Sequence, residues 1–558
     1  MGIFHNENVK GFLHTDGIRI VNGEGNEIIL RGWGAGNWMN PEGFMIGIGT
    51  QYMGRSMDPG CTQPLRYQSA RTVTQTVREM CGTRYTETFW QRWWENQLTE
   101  EDIKAMAELG YNSVRLCLTS WALMPDEPEV TFDEKGFAEL ERVIKLCEKY
   151  KIYAIIDMHG APGGQSGLAC DDGIDNIPHM FMEPESRERC LLLWEEIARR
   201  YGDREIVAGY DLLNEPISIG RWHKYIPELC AFYDECIARM RKYDKNHIMF
   251  LEGPMFSTNM RPFNRRYDPE YNNWAISVHM YHYSPEIRDL YKYIAVRDKL
   301  NVPVWIGEGR SKDADMAVFY EIAAEAHIGF NLWAWKSIDN GAENSGGVKY
   351  PECEGTDKVR EFAMNGGPRP SYKESQEIFD RILASMHFNN CKINTSAHIY
   401  CQRKQGVTLP GAGYDWREGA FTADWKWGNA LSYRTEDHTH LVLRPGCEIF
   451  DKGFMPGSNP AERNDPLADL WLSLENGAYA EYTVRDVVTA CKVKVKVRSE
   501  NGAVLNVKCG DKQCDISIAA GDEACEYDTI TISPAEAHTV RLTAAEGISE
   551  IAEISFPA

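Results

Sequence analysis

Long apolar runs are missing from these 558 residues: none approaches the roughly 18 to 20 residues that a membrane-spanning helix needs. The opening MGIFHNENVKGFLH lacks the basic and apolar blocks of a secretory leader, so a soluble cytoplasmic chain is expected, or a secreted one if a leader had been trimmed. Paired cysteine motifs are absent too. The sixteen cysteines are scattered without a C-x-x-C or a zinc-type Cys/His spacing, which argues against a metal site and against a compact disulfide framework. Positive charge is short, with 60 Lys and Arg against 82 Asp and Glu. The net −22 repels nucleic acid and anionic membrane surfaces, so a neutral ligand is expected. Low-complexity runs are lacking as well, and a chain 43% apolar and 25% charged reads as globular, long enough for two or more domains.

What is present is a repeating alternation of short apolar runs and amphipathic segments. Eight candidate strands stand out: IILRGWG (28–34), NSVRLCL (112–118), IYAIIDM (152–158), VAGYDLLN (207–214), HIMFLEG (247–253), WAISVHMY (274–281), VPVWIGEG (302–309) and GFNLWAWK (329–336). Segments such as DEKGFAELERVIKLCEKY and ESRERCLLLWEEIARRY place apolar residues at helical spacing. Eight such units in about 390 residues predict an α/β fold, a (β/α)8 TIM barrel, over residues 1–390. Insertions at 35–98 and 337–369 leave the C-terminal ends of strands, the face where barrels build their sites. After about residue 390 the period becomes two, in AYAEYTV, CKVKVKVRS, AVLNVKC, DTITIS and HTVRLTA. That predicts a linker over 391–411 and an all-β jelly-roll or β-sandwich domain over 412–558.

The C-terminal ends of the predicted barrel strands carry Arg115, His159, Asn214 with Glu215, His279 with Tyr281, Glu308 and Trp333. A lone strand-end Glu is more often a cap or half of an ion pair, and a lone strand Trp is usually core. Eight such residues on one face outweigh that reading. A pair of carboxyls suits cleavage of a glycosidic bond, one protonated to help the leaving oxygen and one ionised to attack the anomeric carbon. Different surroundings can separate their pKa values, and Arg115 and Tyr281 are candidates for keeping Glu308 ionised.

The motifs LLNEP, VWIGEG, NSVRLCL, IDMHGAPGGQSG, SVHMYHY and NLWAWK together resemble glycoside hydrolase family five, a retaining family, over residues of about 10 to 390. The resemblance implies Glu215 as acid/base, Glu308 as covalent nucleophile, and Asn214 as partner of the sugar 2-hydroxyl. It further implies that Arg115 and Tyr281 orient Glu308, His159 touches substrate hydroxyls, His279 supports the acid/base and Trp333 floors the subsite of the cleaved sugar. No metal or cofactor enters the implied mechanism, and the implied partner is a small-molecule or oligosaccharide β-glycoside. RGWGAGNWMNPEGF and HGAPGGQSG are similar to the exo-β-1,3-glucanase and β-glucosidase branch, and the aromatic insertion at 35–98 is suited to walling off a blind pocket. GRSKDAD after Glu308 departs from that branch. An endo-acting β-glucanase, cellulase or mannanase, a β-mannosidase, and a non-catalytic sugar-binding barrel therefore stay open. The C-terminal segment is similar to carbohydrate-binding modules, with Trp416, Trp425, Trp427 and Trp471 as candidates either for stacking on sugar or for packing against the barrel.

Overall fold

Eight parallel strands close on one another in chain order: β1 (Arg31–Gly34), β2 (Ser113–Thr119), β3 (Tyr153–Gly160), β4 (Val207–Asp211), β5 (Ile248–Glu252), β6 (Trp274–Met280), β7 (Val304–Gly309) and β8 (Gly329–Leu332), with β8 paired back to β1. This is a TIM barrel, seen in a computed structural model that describes residues 7, 9–49, 68–281, 287–310, 313–339, 346–415, 421–422, 440–446, 467 and 470–558. Every residue of β2 through β8 is buried. Helices cover the outer face and side chains fill the inner one, which is why these strands read as continuous apolar runs rather than alternations.

The two ends of the barrel differ in chemistry. A hairpin of His14–Asp16 and Arg19–Val21 precedes β1. Leu13 and Ile20 join Tyr153, Ile155, Phe250 and Trp305 in an apolar cluster at the N-terminal side of the strands. That end is a plug, so polar residues collect at the C-terminal rim.

The C-terminal strand ends fall within two residues of the predicted ones except at β4, which stops at Asp211 rather than at 214, and at the last strand. The final strand stops at Leu332 rather than at 336, and Lys336–Asp339 pairs instead with Val348–Pro351 in a separate small sheet. Buried Asp102 explains the change of direction, because it accepts from Trp335 Nε1 at 2.8 Å and Lys336 Nζ at 2.7 Å. The same carboxylate reaches back to the Thr99 N–H in a capping box that starts the helix Glu100–Glu108. One residue thus starts a helix and fixes how the chain leaves the barrel beside Trp333. In the first insertion, Ala70–Cys81 and Thr83–Gln97 are helices whose Phe89, Trp90, Trp93 and Trp94 are buried in packing. Those aromatics are core; residues 50–67 lie outside the described ones.

Beyond the barrel, two antiparallel sheets are present. Burial alternates strictly along Cys491–Arg498, as a period of two demands. The segment read as linker holds the helix Thr395–Cys401 and the strand Thr408–Pro410, which pairs with the last strand Ser549–Ser555. Trp471 is buried, with the Arg498 guanidinium 5.7 Å from its ring centre, while Trp416, Trp425 and Trp427 lie outside the described residues. The fourteen described cysteines are all free thiols, and no described helix is long and apolar enough to cross a membrane.

Charged pairs lock the β domain to the barrel. Arg485 grips buried Glu321 with both Nη atoms, at 2.5 and 2.6 Å, and Arg403 binds Asp415 at 2.6 Å and the Ala317 carbonyl at 2.6 Å. Burial pushes the Glu321 carboxyl up, but Arg485 and then Arg403 outweigh it and bring it down to about 2. A carboxyl lowered on folding stabilises the fold above its ordinary pKa of 4.5, and that contribution fades as pH falls toward 2. We expect Arg485→Ala to cost about 2 kcal/mol near neutrality, less than the ~3–5 kcal/mol of a fully buried pair because Arg485 is partly exposed. Denaturant melts should show this gap closing between about pH 4.5 and 2; a gap independent of pH would contradict the assignment.

Candidate active site

At the centre of the rim one cation faces four carboxylates. Arg115, fully buried on β2, places Nη1 2.7 Å from Glu308, Nε 3.0 Å from Asp211, and Nη2 3.0 Å from both Glu252 and Asp157. Nη2 also donates to Asn214 Oδ1 at 2.9 Å. Burial works against the guanidinium charge, but Asp157, Asp211, Glu308 and Glu252 hold it protonated. Burial and then Glu252 drive the Asp211 carboxyl far upward, against the pull of Arg115. Replacing Arg115 with methionine strands a buried anion cluster, and a loss of about 3–5 kcal/mol is expected in chemical denaturation. An unchanged midpoint would contradict the view of Arg115 as the counter-charge.

Around this hub stand the two rim glutamates. Glu308 lies on β7, its Oε1 held by Arg115 and its Oε2 accepting from the Tyr281 hydroxyl at 2.7 Å. Glu215 lies just past β4, where the backbone takes a φ of 43° that non-glycine residues seldom adopt. Its Oε1 is 2.7 Å from His279 Nδ1, and Cys170 Sγ is 3.9 Å from its Oε2. His279 Nδ1 is also 3.6 Å from Glu308 Oε2, and one oxygen of each glutamate lies within 4.8 Å of the other. Burial pushes the Glu215 carboxyl above its ordinary value; His279 opposes this and the charge of Glu308 adds to it. Burial would strip the proton from His279, but Glu252 and Glu308 keep the imidazole charged well beyond its usual range. Burial, followed by the charge of Glu308, likewise keeps the Tyr281 phenol protonated. The pair therefore stands in unlike surroundings: one carboxyl with a cation and a phenol on its two oxygens, the other buried enough to favour a proton.

A third part of the rim is flat. The rings of His159 and Trp333 are parallel, 2° apart with centroids 5.0 Å apart. Small residues in RGWGAG make the room: a Cβ on Gly34 or Gly36 would come within 2.7 or 2.8 Å of Trp333 or its neighbour Ala334. His159 Nδ1 is 2.8 Å from Asp157 Oδ2, which leaves Nε2 turned toward Asn214 Nδ2 at 3.4 Å and Glu42 Oε1 at 3.8 Å. Buried Glu42 is pushed up by its burial. Two sets of donors here lie close enough to share an ion, Cys117–Asp157–His159 and Glu215–His279–Glu308, but the His159–Asp157 and His279–Glu215 contacts already engage their imidazole Nδ1 atoms.

All eight residues singled out from the sequence thus gather at one rim. Reasoning from sequence passed over Asp157, Asp211, Glu252 and Glu42. Glu252 closes HIMFLEG as Glu308 closes VWIGEG, and Asp157 lies two residues before His159 on the same strand face, so a stricter reading of strand ends finds both. Glu42 sits in an irregular insertion with no period to mark it.

Residues 73–339 match the family model described as Cellulase (glycosyl hydrolase family 5). A beta-xylosidase of Phanerodontia chrysosporium is 33% identical over 270 residues, which cover 48% of this chain and 52% of that protein. Cellodextrinase A of Ruminococcus flavefaciens is 33% identical over 160 residues, 28% of this chain and 44% of its own. A probable glucan 1,3-beta-glucosidase A of Emericella nidulans is 29% identical over 184 residues, 33% and 44% of the two chains. The chain spans about half the length of these curated relatives. The match takes in β2 to β8 of the barrel, so the likeness to glycosyl hydrolase family 5 covers the strands that carry the rim residues.

Proposed function

We propose that the chain is a retaining β-glycoside hydrolase that removes single sugars from a chain end or an aglycone, with Glu308 as nucleophile and Glu215 as acid/base. The carrying observation is the approach of the two glutamates within 4.8 Å in opposite surroundings. Retaining pairs stand about 5–5.5 Å apart, whereas inverting pairs need about 6.5–9.5 Å to admit a water between carboxylate and sugar.

In the first step a Glu308 oxygen forms a bond to the anomeric carbon as the glycosidic bond breaks, and Glu215 passes its proton to the departing oxygen. In the second, water attacks that carbon, Glu215 takes the water's proton, and Glu308 leaves as carboxylate. Tyr281 and Arg115 hold the Glu308 oxygens so that attack comes from one side. Asn214, fixed by Arg115, is placed for the sugar 2-hydroxyl, and the Trp333–His159 plate is placed for the ring's C–H face. Glu42 supports end-wise action, since a buried carboxyl beside His159 suits the hydroxyls of a terminal sugar. The relatives named as a beta-xylosidase and a glucan 1,3-beta-glucosidase favour the same reading. Residues 1–390 then form the catalytic unit, and 412–558 a module held to it by the Arg485–Glu321 grip.

Product analysis on β-linked gluco- and xylo-oligosaccharides tests the mode of action: monosaccharide alone at early times is expected, and early mixed oligosaccharides would establish the endo alternative, which the similar Endoglucanase C of Acetivibrio thermocellus keeps open. Because burial raises the Glu215 carboxyl, the alkaline limb of kcat/KM is expected above the ordinary carboxylate range and should vanish in Glu215→Gln. A limb unchanged in that variant would move the acid role elsewhere.

A further inference from the structure

One buried carboxylate touches the supports of both catalytic glutamates and has no part in the chemistry above. Glu252, at the end of β5, is wholly shielded from solvent. Its Oε2 accepts from the backbone N–H of Glu215 at 2.6 Å and from the Ser257 hydroxyl. Its Oε1 accepts from His279 Nε2 at 3.2 Å, from Arg115 Nη2 at 3.0 Å and, more weakly, from Ser277 Oγ at 3.5 Å. Tyr233, on the helix Ile226–Met240, donates to the Glu252 carbonyl at 2.8 Å.

Two of these contacts brace backbone that would otherwise relax. Glu215 and Ile217 have φ of 43° and 53°, and Met255, Phe256 and Ser257 have φ of 56°, 54° and 57°, all in the left-handed region that costs non-glycine residues about 1–2 kcal/mol each. The two segments meet where Met255 N–H donates to the Ile217 carbonyl at 3.3 Å. Glu252 Oε2 reaches into both, to the Glu215 N–H and to the Ser257 hydroxyl. A carboxylate is suited to this place because each oxygen accepts at least two hydrogen bonds; an amide could not, since its nitrogen would face the Glu215 N–H or the His279 and Arg115 donors.

We propose that Glu252 is a positioning residue for the hydrolysis, setting the Glu215 carboxyl through its backbone N–H and through His279, and the Glu308 carboxyl through Arg115. The proposal rests on the assignment of Glu215 and Glu308 made above. It predicts coupled placement: disturbing Glu252 moves both ends of the acid pair and, through Arg115 Nη2, Asn214, while the Trp333–His159 plate stays in place.

The test is steady-state kinetics of Glu252→Gln in the full chain with an aryl β-glycoside that the wild type hydrolyses. A misplacement of about 1 Å costs about 100-fold, so kcat should fall about 100-fold while KM stays within about threefold. The alkaline limb should also shift. Groups facing His279 are Glu215, Glu252 and Glu308, and Glu252 also faces Arg115 and Asp211. Loss of the Glu252 charge weakens the pull that keeps the His279 proton, leaving Glu308 as the main charge behind it. His279 touches Glu215 directly, whereas Glu252 acts on that carboxyl from behind the imidazole, so Glu215 should hold its proton to higher pH and the limb should move up. Should Glu252→Gln not fold, Ser257→Ala removes one hydrogen bond to the same carboxylate, and a fall in kcat at constant KM is expected there. A folded Glu252→Gln with kcat within about threefold of wild type and an unmoved limb would overturn the proposal, as would an unaltered kcat in Ser257→Ala. Failure of the underlying assignment would look different: Glu308→Ala would keep turnover near the wild-type rate with Glu252 intact.

Discussion

Glu308→Ala is expected to lower kcat on aryl β-glycosides on the order of 10⁵-fold, about 7 kcal/mol of barrier. The loss follows from the position of the carboxylate. Glu308 is the rim glutamate with a guanidinium on one oxygen and a phenol on the other, at 2.7 Å each, so it can attack but is poorly placed to hold a proton for the leaving group. Alanine removes the attacking oxygen and leaves a space beside the anomeric carbon. Azide should fill it and restore turnover of an activated substrate, giving the α-glycosyl azide, inverted relative to substrate, because Glu215 remains to assist departure. Recovery of a β-glycosyl azide would place the nucleophile elsewhere, and kcat near the wild-type value would remove Glu308 from the mechanism.

Glu215→Ala should behave differently, and the contrast is the informative part. A general acid contributes about 10²–10⁴-fold, realised only where the leaving oxygen needs a proton. Loss of about 10³-fold is therefore expected on alkyl or sugar leaving groups, with a far smaller effect on the first step for a dinitrophenyl leaving group. The second step also loses its base, so the glycosyl-enzyme should accumulate and KM should fall with kcat. Azide needs no base and should accelerate release as the β-glycosyl azide, with configuration retained. Equal losses across leaving groups would show that Glu215 does more than move protons, and no loss at all would assign the acid to another group.

The barrel was legible because its physics is written along the chain. Strands shielded on both faces must be apolar throughout, so VAGYD and VWIGEG stand out, and residues that break the apolar run at the C-terminal end become conspicuous. The last strand was overrun for the same reason: NLWAWK stays aromatic past Leu332, and the turn at Trp333 depends on Asp102, more than 200 residues earlier. The aromatic insertion misled similarly. ETFWQRWWENQ has a spacing that suits either a pocket wall or a helix in the core, and its placement against Phe379 and Trp121 decided for the core. Glu42 was hidden because an irregular segment gives no period from which its direction can be read. Glu252 was hidden because a strand-end Glu near no known motif looks like a cap until its five donors are seen together. The β domain announced its strands through alternation, but the contacts of Arg403 and Arg485 across to the barrel are set by tertiary structure alone.

The central claim, that Glu308 forms a covalent bond to the sugar while Glu215 manages the protons, is tested most directly by trapping the intermediate. Incubation with a dinitrophenyl 2-deoxy-2-fluoro-β-glycoside of the preferred sugar, followed by mass spectrometry of the intact protein and its peptides, should show one added glycosyl group per chain, attached within VWIGEG at Glu308. A label on any other residue, or an unlabelled enzyme that releases product of inverted configuration, would contradict the account.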